Sequence, residues 1–154
     1  MEAIVKDIKE LIVRSGVVVP RGSSLLLSHH YGIEKFRRYG AGVITCFNKE
    51  YAKKYLIMLP GQMHPMHYHK IKAESFLVLH GDMVLSHIKP WQYRIRQETL
   101  GVGDWIHMEV AEKHDFQTEG GCVFEEISSR ENEGDSYYDD QEVQKDRKTV
   151  VGEL

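Results

Sequence analysis

The stretch GQMHPMHYHKIKAESFLVLHG, from Gly61 to Gly81, sets His67, His69 and Glu74 in one short window between two glycines. On a β-strand successive side chains alternate between faces, so His67 and His69 look to the same side. Glu74 has the opposite parity. All three can meet only if the chain turns or bulges between His69 and Glu74, and Lys70-Ile71-Lys72 is the segment that would bend. Such a trio binds a divalent transition metal, and the later stretch GDWIHMEVAEKHDF offers His114 as a fourth ligand. Three imidazoles with one carboxylate suit Mn, Fe, Co, Ni or Zn and suit Ca or Mg poorly. They leave coordination positions open to water or substrate, the arrangement of a catalytic ion. Nine histidines occur in the chain, so a lone H-x-H would more often be surface or core. The conjunction of both glycines, the glutamate and the later histidine is what singles this set out.

Bulk properties exclude several classes of function. A chain of 154 residues is long enough for one domain with a buried core. The net charge of −3 gives no pull toward nucleic acid or an anionic membrane. No apolar run approaches a membrane span, and MEAIVKDIKE lacks the apolar centre of a signal peptide. Cys46 and Cys122 are too few for a disulfide framework. Both lie in strand-like segments, so buried thiols and a reducing, cytoplasmic setting are expected.

Residues 2–15 read as an amphipathic helix, with Ile4, Ile8, Leu11 and Ile12 at helical spacing and Gly16 as its stop. VVVP and SLLLS read as short strands, and a helical turn is expected over Ile33–Tyr39. From residue 43 the pattern is β. VITCF and YAKKYLIML form a hairpin across Asn48-Lys49-Glu50, and ESFLVLH and MVLSHIK are expected to pair across Gly81-Asp82. WQYRIRQETL, WIHME, HDFQTE and CVFEEIS complete a series that predicts a sandwich or barrel. After Ser129 the chain is charged and poor in aliphatic residues, the composition of a solvated tail. Tyr137-Tyr138 would pack on the barrel or on a partner subunit.

G-x5-H-x-H-x4-E-x6-G is the first sequence motif of the cupin family, and it fits Gly61 through Gly81 without a gap. Gly103 and His114 match the second motif, while Glu109, Ala111 and Thr118 stand where Pro, Gly and Asn are usual. The chain thus resembles a cupin. The resemblance implies an all-β fold: one jelly-roll β-barrel with an N-terminal helix and a C-terminal extension. A single cupin domain would then cover 1–154, with helix and arm at 1–40, barrel at 41–129 and tail at 130–154. The flanks LSHHYGIEKFRRYGAGVI, YAKKYLIMLPGQMHPMHYHK and FEEISS…GDSYYDD…RKT narrow the likeness. They resemble the cupin domain appended to sialic acid (nonulosonate) synthases, and that group is similar to D-lyxose isomerases.

D-lyxose isomerases are manganese-dependent cupins that interconvert aldoses and ketoses. The likeness to them rests on H-x-H-x-x-K-x-E, here His67, His69, Lys72 and Glu74, and on Glu126 in EEIS. It implies a divalent metal, manganese first and then Fe, Co, Ni or Zn, on His67, His69, Glu74 and His114. It implies Glu126 as the base that moves a proton between C2 and C1, and Lys72 as an electrostatic or acid partner. Only one of Glu125 and Glu126 can enter the barrel, because adjacent strand residues face opposite sides. Hydrophobicity does not choose between them; the resemblance favours Glu126. A small-molecule sugar is the expected ligand and a homodimer the expected assembly, built from the first helix and the tyrosine-containing tail. Two other functions are open: a non-catalytic sugar-binding module partnered with a sugar-acid synthase, and a metal-dependent dioxygenase. His29, His30, His64 and His107 are further candidates for the pocket wall. Trp91 and Trp105 read as core or interface, and Arg94 and Arg96 as solvated neighbours on one strand face.

Overall fold

The computed structural model describes residues 1–154. The chain opens with α1 (Glu2–Ser15), which buries Ile8, Leu11 and Ile12 and ends at a left-handed Gly16 whose N–H donates to Val13 O. VVVP is not a strand. Pro20 starts a turn that closes with Ser23 N–H on Pro20 O at 3.2 Å, and proline has no N–H to give to a ladder. Strand β1 (Ser24–His29) leads to a 3-10 turn (Ile33–Lys35) and a short α2 (Phe36–Tyr39). Ten strands follow before the C-terminal edge strand: β2 (Gly40–Asn48), β3 (Tyr51–Met58), β4 (Met63–Tyr68), β5 (Glu74–Gly81), β6 (Met83–Ile88), β7 (Arg96–Leu100), β8 (Trp105–Met108), β9 (Lys113–Gln117), β10 (Cys122–Ser129) and β11 (Tyr137–Tyr138). The last element is β12 (Lys148–Glu153).

The strands form a seven-stranded sheet, β12-β1-β2-β3-β10-β5-β8, and a five-stranded sheet, β11-β4-β9-β6-β7. Their inner faces meet over Leu56, Met58, Phe76, Val78, Met83, Leu85, Phe116 and Phe124. The outer face of the larger sheet is covered by α1, where Ile8 and Leu11 pack on Leu25, Leu27, Ile44, Ile57 and Val123. Burying each such side chain contributes about 1.5–3 kcal/mol. This is the expected all-β, jelly-roll type of barrel with an N-terminal helix. No helix is long and apolar enough to cross a membrane.

Two further strand expectations, and the reading of the tryptophans as core, are corrected. ESFLVLH and MVLSHIK do not pair. β5 lies between β10 and β8, whereas β6 lies between β9 and β7, so Gly81-Asp82 carries the chain from one sheet to the other. The crossing is tight: Gly81 sits at φ 72°, and a Cβ there would collide with Gly121 O. Only glycine fits such a corner. WQYRIRQETL is a strand only from Arg96, so Arg94 lies outside it. Trp91 has φ 64° and, like Tyr93, is almost fully exposed at 99% and 100%. Trp105, at the start of the outermost strand β8, is 69% exposed, so neither tryptophan is core.

The tail is not simply solvated. β11 pairs with β4, setting Tyr138 opposite His67, and β12 pairs with β1, setting Lys148 opposite Ser28. Backbone hydrogen bonds to two sheet edges hold it, which needs few aliphatic residues. The helix and the tail, expected to build a subunit contact, are both seated on their own chain.

Candidate metal centre

His67 stands on β4, with His69 just beyond its end; Glu74 opens β5 and His114 lies on β9 directly across from His67. All four side chains are buried, and their ligand atoms lie within 4.8 Å of one another. The parity problem is solved by the bend at Lys70–Ala73, which hangs on Asp135. Its carboxylate accepts the backbone N–H of Lys70 at 2.8 Å and those of Ile71 and Lys72 at 3.1 Å.

Each ligand ring is held by a backbone carbonyl at Nδ1. His67 meets Pro65 O at 3.0 Å, His69 meets Asp135 O at 2.6 Å, and His114 meets Glu112 O at 3.0 Å. A carbonyl only accepts, so Nδ1 carries the proton and each Nε2 presents a lone pair. Glu74 Oε1 then lies 2.8 Å from His114 Nε2 and 3.1 Å from His69 Nε2, acceptor against acceptor. His114 Nε2 is buried and makes no hydrogen bond. Lone pairs this close are mutually repulsive unless a cation sits among them, so the donor set fits a divalent ion. Burial, with the neighbouring imidazoles, pushes the His67 ring well below its ordinary value and keeps it neutral, as metal ligation requires.

Lys72 and Glu126 border this cluster. Lys72 Nζ is 2.8 Å from Glu126 Oε1 and 2.9 Å from Glu74 Oε2, and all three side chains are buried. Burial opposes the charge on Lys72, but the Glu126 and Glu74 carboxylates outweigh it and raise the ammonium above the ordinary lysine range. Burial alone would likewise raise the Glu74 carboxyl, yet Lys72 beside it holds it well below the usual range. Lys72 is therefore a fixed cation. Glu126 faces inward with Phe124 and Cys122, whereas Glu125 points outward to Lys53 at 2.9 Å. The shared cavity measures about 130 Å³. At about 30 Å³ per water that is space for roughly four waters, or a small polyol.

The other histidines divide. His64 lines the cavity, its ring 4.4 Å from that of His67. His30 is buried behind it, ring to ring at 4.2 Å, and burial lowers it to about 4. His29 binds Thr149 on β12 at 2.9 Å. His107 is exposed and meets only Ser75 at 2.8 Å, so it neither lines the cavity nor belongs to the core. Tyr138, expected to pack on the barrel or on a partner subunit, stacks on His67, while Asp135, Arg147 and the buried pair of His87 with Glu112 at 2.7 Å behind His114 escaped the sequence reading.

The D-lyxose isomerase family model matches residues 29–99. The structure superposes on L-ribose isomerase from Cellulomonas parahominis with a TM-score of 0.77, at 13% identity, covering 95% of this chain and 93% of that one. L-ribose isomerase from Geodermatophilus obscurus gives a TM-score of 0.69 at 16% identity, covering 86% and 89%. The chain has the cupin fold, and over residues 29–99 it resembles the D-lyxose isomerases. Its cupin fold is shared with the capsular polysaccharide assembling protein CapF of Staphylococcus aureus, at a TM-score of 0.58 and 17% identity over 64% of this chain. The chain spans only 29% of the length of CapF. No curated protein matches the chain.

In this chain the bend that carries Lys72 and aligns His69 depends on a tail residue. Asp135→Ala leaves three backbone N–H groups without their acceptor and frees the carbonyl that orients His69. Divalent-metal affinity, measured by competition with a chromogenic chelator, is expected to fall by about 10–100-fold, the usual effect of losing support behind a ligand. Unchanged affinity would mean that the bend keeps its shape unaided.

Proposed function

We propose that the protein is a divalent-metal-dependent aldose–ketose isomerase acting on a small-molecule sugar, with manganese the first metal to test. One observation carries the reading. Glu126 is a buried carboxylate outside the ligand set that faces the same cavity, beside a lysine locked in its charged form. Aldose–ketose interconversion needs a group that takes the proton from C2 and returns it at C1, a role this reading assigns to Glu126. Lys72 holds Glu126 and Glu74 in register and sets positive potential beside the carbon that becomes electron-rich. His67, His69, Glu74 and His114 would hold the ion, which when bound supplies Lewis-acid polarisation of the sugar oxygens. The likeness to two L-ribose isomerases and the family match support the same substrate class.

The test is ketose formation by manganese-loaded protein across the aldopentoses and aldohexoses. Turnover of at least one pair is expected. Tight sugar binding with no turnover would favour the accessory module for a sugar-acid synthase, and oxygen consumption by iron-loaded protein the dioxygenase. The proposed assembly is a homodimer; a light-scattering mass of one chain would overturn that part.

A further inference from the structure

We infer that the sugar taken by this cavity carries an anionic group, a phosphate or a carboxylate, at the end remote from the metal, gripped by Arg147 and Lys148. The inference rests on the reading of the ligand as a sugar but not on its turnover.

The cavity wall holds Lys54, Lys72, Arg147 and Lys148 against Glu74, Glu126 and Glu131. The two inner lysines answer all three carboxylates. Lys72 lies 2.9 Å from Glu74 and 2.8 Å from Glu126, while Lys54 pairs with Glu131 and stands 4.0 Å from Glu126. Arg147 and Lys148 are left over, since neither makes an ion pair with any acidic group of the chain. A divalent ion at the histidines would raise the positive excess further. With four cations against three carboxylates the wall keeps one positive charge in excess, which a neutral aldose does not match, whereas an anionic terminus does.

Their positions suit that task. The Arg147 guanidinium lies 4.8 Å over the Tyr138 ring, and that ring stacks at 5.4 Å and 25° on His67. Tyr138 thus links the guanidinium to His67 on the wall of the same cavity. Contacts from Nη1 to the carbonyls of Gln144 and Lys145 at 3.4 and 3.3 Å, with the Tyr138 hydroxyl alongside, steady it. That planar fork matches the paired oxygens of a phosphate or carboxylate. Lys148 stands opposite Ser28 in the β1–β12 ladder, and both line the cavity. The tail therefore brings both cations to the mouth.

The experiment is calorimetric binding to manganese-loaded full-length protein, with ketose formation followed in the same samples. The probes are each aldopentose and aldohexose, its terminal phosphate ester and its uronic acid. At low ionic strength at least one anionic sugar is expected to bind about tenfold or more tightly than its neutral parent. The gap should close in Arg147→Gln/Lys148→Gln and largely survive in Arg147→Lys. Which of the two series shows the gap identifies the anion. A neutral sugar that binds as well as its charged forms, a gap that persists in the double variant, or no binding of any anionic sugar would each overturn the inference. A gap without turnover would sink the isomerase reading alone, and turnover of neutral sugars without a gap would sink this inference alone.

Discussion

Glu126→Gln is expected to lower kcat by about 10²–10⁴-fold, the usual share of a positioned general base, with metal content unchanged. The substitution is isosteric and keeps an oxygen for Lys72, whose ammonium also retains Glu74 at 2.9 Å. The four metal ligands are untouched, so a loss of rate with equal metal loading isolates proton transfer. KM should move little, because the amide still fills the carboxylate's place in the wall. Glu125→Gln is the matched control. Glu125 sits on the outer face of β10, paired with Lys53, and its loss should leave kcat intact. Full activity in the Glu126 variant would move the base elsewhere in the cavity. Full loss in the Glu125 variant would mean that the strand's facing is wrong.

The cluster of His67, His69, Glu74 and His114 was legible in the sequence because a candidate metal set leaves a local signature. Its members must be His or Glu at parities that strands and one bend can satisfy, and the glycines mark where the chain turns. Glu126 needed the resemblance, since Cys122-Phe124-Glu126 and Val123-Glu125-Ile127 look alike in hydrophobicity. Only the burial of β10 between β3 and β5 decides which row faces in. Pairing partners were less legible: a Gly-Asp corner reads the same whether the chain folds back or crosses to the opposite sheet. The tail was least legible. Asp135, Tyr138 and Arg147 act through sheet-edge hydrogen bonds, ring stacking and turn geometry, which leave no hydrophobic period to detect. Composition therefore described as solvent-facing a segment that closes one side of the cavity.

Lys72→Met should destabilise the metal-free protein strongly. Lys72 is 5% exposed and lies between Glu74 and Glu126, themselves 3% and 6% exposed. Methionine fills most of the volume but leaves both carboxylates without their nearest cation. Stranding one partner of a buried ion pair costs about 3–5 kcal/mol, and the Lys54 ammonium, 4.0 Å from Glu126 and already engaged by Glu131, can compensate only in part. A divalent ion changes the balance, because it neutralises Glu74 from the other side. The penalty should therefore be smaller with metal bound, and the variant should gain more from metal than the wild type does, beyond the mass-action gain common to both. Urea unfolding of both proteins, with and without manganese, measures the four free energies. A penalty equal in the two states would mean that Glu74 and the ion do not share charge, and would remove Glu74 from the ligand set. A negligible penalty in both would mean that the two carboxylates take up protons or water in place of the lysine.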